Sequence, residues 1–119
     1  MQLSPETIDT NITVIPVPGP TLDASSAKDL KVAMAPLLTA NAKIILDLSQ
    51  LKFVDSSGLG AMLSFLRQLN GMGGDLKLCG MSKPIRALFE LVRMHRVFEI
   101  FNTREEAAAS FGTTQQGGD

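Results

Sequence analysis

The stretch Asp55-Ser56-Ser57-Gly58-Leu59-Gly60 sets a carboxylate, two hydroxyls and two glycines side by side, after Phe53-Val54 and before a helical run, AMLSFLRQL. Asp55 or Ser56 can accept a hydrogen bond from a first-turn N–H, which stabilises a helix by about 1 kcal/mol. Capping accounts for one polar residue there. It leaves Gly58 and Gly60, each of which costs roughly 1 kcal/mol relative to Ala inside a helix. Glycine removes a side chain and lets another backbone, or a bulky group, come close. A hydroxyl on such a turn is open to phosphorylation, and the phosphate would meet first-turn N–H groups and the positive end of the helix dipole. Asp55 would repel it, as would Asp23 if the first strand–helix turn lies alongside. The modification changes local charge by about -2 and leaves the fold intact. Two readings of this stretch therefore stand, a helix cap and a regulated interaction site.

Other residues with chemical potential are few. His95 is the single histidine, in VRMHRVFEI, and reads as a solvent-facing turn residue. Without a second histidine or a nearby cysteine, no metal site is expected. A Ser-His-Asp triad would need this imidazole aimed at an activated serine. The Gly-x-Ser-x-Gly elbow is absent, and so is the Gly-x4-Gly-Lys-Ser/Thr phosphate loop. GMGGDLK is glycine-rich but follows a helix and precedes a strand, the wrong order for a nucleotide loop. A serine hydrolase built on Ser56 and His95 finds neither an oxyanion hole nor an orienting acid by motif. The expectation is a protein without catalytic residues or cofactor. Cys79, the one cysteine, sits in the apolar LKLCG and reads as a small buried hydrophobe, which excludes a disulfide within the chain.

Composition narrows the partners. The 119 residues suit one domain with a real core, at 45% hydrophobic and 19% charged. Net charge is -1, and Lys and Arg are scattered, which argues against general nucleic-acid affinity. Tryptophan and tyrosine are absent, so a base-stacking platform is not expected. The N-terminal MQLSPETIDTN has no signal-peptide pattern, and no apolar run reaches the roughly 20 residues that span a bilayer. A soluble cytoplasmic protein without membrane insertion is expected.

The elements that would position the site alternate. ITVIPVPG is β-branched, and Pro16 and Pro18 make it an edge strand or a strand end, with DTN as a hairpin turn before it. LDASSAKDLKVAMAPLLTAN reads as a helix capped by Ser25 or Ser26, with Asp29 in its first turn and Ala27, Leu30, Met34 and Leu37 on one face. Pro36 should kink or end it. KIILDLS is a buried strand, and Leu59, Met62, Leu63 and Leu66 give the next helix its apolar stripe. NGMGGD ends that helix and LKLC is a strand. Ser82 opens a third helix with the stripe Ile85, Leu88, Phe89 and Val92. VFEIF is a last strand, and Thr103 with Glu106 marks the start of a closing helix. This β(β)-α-β-α-β-α-β-α order predicts a single α/β domain, residues 1–111, with a mainly parallel sheet, followed by a polar, disordered tail, 112–119.

From about residue 10 to residue 111 the chain resembles the STAS domain of bacterial anti-sigma factor antagonists. ILDLSQLKFVDSSGLG carries most of the resemblance, and RVFEIFNTREEA is similar to the family's C-terminal ending. The resemblance implies a small mixed, mainly parallel sheet of four or five strands packed with about four helices. It also implies partner switching. The unphosphorylated antagonist binds a serine kinase that doubles as an anti-sigma factor, the kinase ends the complex by phosphorylating one serine, and a metal-dependent serine/threonine phosphatase restores it. The serine after the Asp is the family's usual target, here Ser56, with Ser57 the runner-up. Asp23 matches the acidic residue of the family's Gly-x-(Leu/Ile)-Asp turn, although GPTLD has one residue more. The implied partner surface is Asp23, Ser25, Asp55, Ser56, Ser57, Gly58, Leu59 and Gly60. STAS domains also serve as non-switching adaptors in lipid-transport ABC complexes and sensory scaffolds, the alternative function.

Overall fold

A computed structural model describes residues 1–9 and 11–117. Strands β1 (Glu6–Ile8) and β2 (Ile12–Pro16) form an antiparallel hairpin. The chain continues through β3 (Thr21–Leu22), α1 (Ala24–Met34), β4 (Lys43–Asp47), β5 (Phe53–Val54) and α2 (Ser56–Gly71). It closes with β6 (Asp75–Cys79), α3 (Lys83–Leu91), β7 (Glu99–Phe101) and α4 (Arg104–Gly117). The main sheet runs β1-β2-β4-β6-β7, and every pairing after the hairpin is parallel. The mixed, mostly parallel sheet with four helices is the expected architecture. α4 extends into the 112–119 segment, whose last two residues lie outside the described residues. Among the described residues no helix is long and apolar enough to cross a membrane.

Helices cover both faces of the sheet, which is why KIILD reads as a continuous apolar run rather than an alternating one. Ile44 and Leu46 face the larger core with Leu30, Met62, Phe65 and Phe89, whereas Ile45 joins Ile12, Val14, Ala107 and Phe111 under α4. Cys79 belongs to this second core, and burial, with the nearby Asp47 charge, pushes its thiol up to about 11. Lys77 is also buried there. Its ammonium pairs with Glu99 and lies 4.7 Å from the Phe111 ring centroid, so the charge is compensated on both sides.

Three local expectations need correction. Asp23, not Ser25 or Ser26, is the N-cap of α1. The helix starts earlier than the serines suggested, so Asp29 is its sixth residue and lies beyond the first turn. Of the two readings of the proline segment, edge strand and strand end, the second holds: β2 is an interior strand and Pro16 is its last residue. Val92 leaves the α3 stripe and is exposed, because the helix stops at Leu91 and Arg93 takes a left-handed φ of 63°. Pro36 does end the regular helix: α1 gives way to a 3-10 turn over Ala35–Leu37.

Candidate functional site

β3 and β5 form a separate two-residue parallel pair, with Thr21 opposite Phe53 and Leu22 opposite Val54. Each is followed by an aspartate, and each aspartate caps a helix. The Asp55 N–H donates to the Leu22 carbonyl at 3.1 Å, so the two caps stand in register. The turn before β3 is held from the other side. The Pro20 carbonyl accepts from the N–H groups of Lys52 and Phe53, at 2.7 and 3.2 Å. Gly19 is required there, since a Cβ would lie 1.9 Å from the Gln50 carbonyl oxygen. The longer GPTLD turn therefore still delivers Asp23 beside Asp55.

The caps differ in how completely they close. At α1 the Asp23 carboxylate accepts from the Ser26 N–H at 3.1 Å, and the Asp23 N–H donates to the Ser26 hydroxyl at 2.9 Å. This reciprocal pair is a capping box with serine in the third position. The Ser26 N–H, with its hydroxyl second, holds the Asp23 carboxyl below its ordinary value. At α2 the Asp55 carboxylate accepts from the N–H groups of Ser57 and Gly58, at 2.8 and 3.1 Å. No side chain returns to it. Both Ser56 and Ser57 are exposed, and among the described residues neither hydroxyl has a hydrogen-bond partner.

Gly58 and Gly60 separate in role. A Cβ on Gly58 would lie 2.9 Å from atoms of the buried Leu22 and Val54, so this glycine lets α2 seat on the β3–β5 pair. A Cβ on Gly60 would meet nothing within 4 Å, so the fold has no use for its bareness. Leu59 turns into the core, 6% exposed, and offers no side chain to a partner. Ser25 and Gly60 are exposed, and Asp23 and Asp55 are half-buried.

α1 and α2 pack side by side, leaving a shallow groove lined by Ala24, Ala27, Lys28, Lys31, Ser57 and Gly60. The two lysines were not singled out in the sequence. Their spacing from Ala24 and Ala27, which puts all four on adjoining helical rows, is the signal that could have marked them. Phe53, 54% exposed beside the tips, is a second addition, hidden because a two-residue strand shows no alternation. His95 is exposed in a 3-10 turn after α3. α3 starts where β6 ends and runs back along the sheet, so His95 lies at the opposite end of the molecule from Ser56, and the two cannot form a triad.

The STAS domain model matches residues 5–107. The chain belongs to the STAS domain family. BtrV of Bordetella bronchiseptica, provisionally named an anti-sigma factor antagonist, is 31% identical over 93 residues, covering 77% of this STAS chain and 80% of that protein. The anti-sigma-B factor antagonist of Bacillus subtilis is 28% identical over 79 residues, covering 66% and 72%. The structure of the anti-sigma factor antagonist SpoIIAA in its unphosphorylated form superposes with a TM-score of 0.75 at 24% identity, covering 94% and 97% of the two chains.

Proposed function

We propose that this STAS protein is an anti-sigma factor antagonist that works by partner switching. Unmodified, it binds an anti-sigma factor that is also a serine kinase and so releases a sigma factor in the cytoplasm. The observation that carries the reading is the α2 tip, where Ser56 is exposed, unbonded and next to a carboxylate that already satisfies the first-turn N–H groups of Ser57 and Gly58. The protein supplies an acceptor and no catalytic group. In the kinase complex the Ser56 oxygen bonds to the γ-phosphorus of ATP, the bond to ADP breaks, and the hydroxyl proton passes to a base of the kinase. A metal-dependent phosphatase later returns the hydroxyl by hydrolysis.

Release follows from electrostatics. Phosphate adds about two negative charges to a tip that already holds Asp55 and, one strand away, Asp23. An unpaired charge forced into a contact surface costs a few kcal/mol, a tenfold to thousandfold change in affinity. The fold survives, because the caps use carboxylates and backbone rather than the Ser56 hydroxyl. The test mixes the protein with ATP and the serine kinase encoded nearest its gene, then maps the phosphate by mass. Ser56→Ala should bind and resist labelling. Undiminished labelling of Ser56→Ala would move the acceptor to Ser57.

A further inference from the structure

The α1–α2 groove holds two cations next to a tip that holds two carboxylates. Lys28 and Lys31 line it with Ser57 and Gly60, and neither lysine has an acidic partner among the described residues. The charges are ordered along α1: the Asp23 cap comes first, and the lysines follow five and eight residues later. At 1.5 Å per residue, that places them about 8 and 12 Å down the helix. Asp29 does not neutralise them, because helical residues one position apart (Lys28) or two apart (Lys31) do not face each other. Lysine side chains lying unpaired along a groove rimmed by Ala24, Ala27 and the bare Gly60 form a surface that small, negatively charged groups can reach.

We propose that this groove is where the partner kinase docks an acidic segment, with its Asp or Glu side chains set against Lys28 and Lys31. This rests on the partner-switch reading and specifies the chemistry of the partner. Charge complementarity selects the occupant: a basic or a purely apolar segment would leave the ammonium groups uncompensated in the contact. The groove also couples docking to modification. Ser57 lines it and Ser56 precedes it by one residue, so a phosphate at the tip offers the lysines an intramolecular anion and repels the incoming acidic segment. Both effects weaken docking, and neither requires the fold to change.

The test measures binding of the same serine kinase to the unchanged chain and three variants at low and high salt. Lys28→Gln/Lys31→Gln should bind roughly tenfold more weakly with a shallower salt dependence, and Lys28→Glu/Lys31→Glu more weakly still. Gly60→Ala adds a methyl to the groove where nothing in the chain touches it, so it should weaken binding in a fully folded protein. Unchanged melting temperatures in the lysine variants separate lost docking from lost fold. If the unchanged chain is labelled on Ser56 and the glutamate variant binds as tightly as it does, the groove assignment is overturned and partner switching stands. A kinase that neither binds nor labels the unchanged chain overturns both.

Discussion

The two helix tips are built alike and finished differently. Each begins with a two-residue strand of the β3–β5 pair, continues with an aspartate cap and enters a helix on small residues. At α1, Ser26 folds back onto Asp23, and its hydroxyl is consumed by the cap and by the Thr21 carbonyl at 3.2 Å. At α2 the third position is Gly58, which has no hydroxyl to return, so Asp55 caps alone and Ser56 and Ser57 stay free. The α1 tip spends Ser26 on structure and leaves only the exposed Ser25 outside the cap, whereas the α2 tip spends neither of its serines. A serine at a helix start is therefore uninformative until its hydrogen-bond partners are known.

The largest effect that could break this contrast is on binding. Ser56→Asp should weaken the kinase complex by tenfold or more, whereas Ser26→Ala should leave affinity unchanged, and equal losses would erase the distinction. Stability comes next. Gly58→Ala forces a methyl against Leu22 and Val54, an overpacking cost of about 1–3 kcal/mol that the gain in helix propensity, about 1 kcal/mol, only partly offsets. Gly60→Ala should stabilise the isolated protein by about 0.5–1 kcal/mol, because its site is open. Urea melts of the two glycine variants should thus move in opposite directions. Asp55→Ala should cost about 1 kcal/mol by removing the lone cap.

The smallest effect is a pH dependence. The hydrogen bonds from Ser26 hold the Asp23 carboxyl lower in the folded chain than the ordinary aspartate value of the unfolded one. Its contribution is present above that value and fades as pH falls through the lower folded one. An Asp23→Asn variant should therefore lose part of the acid sensitivity of folding, measured as melting temperature below pH 4. An unchanged acid limb would mean that the capping box does not set it. Cys79 moves the other way. Its folded value of about 11 predicts negligible alkylation of the native thiol at pH 8, and a loss of stability as pH rises from about 9 towards 11.

Much of this is legible in the amino-acid sequence alone. The alternating elements, a strand within 43–49 (observed over 43–47), the Ser82 and Thr103 helix starts and the stripe Leu59, Met62, Leu63 and Leu66, of which Leu63 is half-buried, all follow from periodicity and capping residues. Asp55 as a cap was one of two candidates, and the geometry selects it. The β3–β5 pair was not legible, because two residues show no period and the pairing joins segments thirty-two positions apart in register, Thr21 with Phe53. Without that pair, the proximity of Asp23 to Asp55 was only conditional. The different work of Gly58 and Gly60 was hidden for a related reason: what a glycine makes room for depends on the neighbour across from it. Lys77 was equally opaque, a polar residue in a strand that is covered on both faces and satisfied by Glu99.

The central claim is that charge on one exposed hydroxyl decides whether a partner binds. It is tested most directly by preparing the chain stoichiometrically phosphorylated on Ser56 and titrating it, alongside the unmodified chain, against the kinase by calorimetry. The account predicts an affinity at least tenfold lower for the phosphorylated form, with the same melting behaviour as the unmodified chain. Matching affinities for the two forms would contradict it.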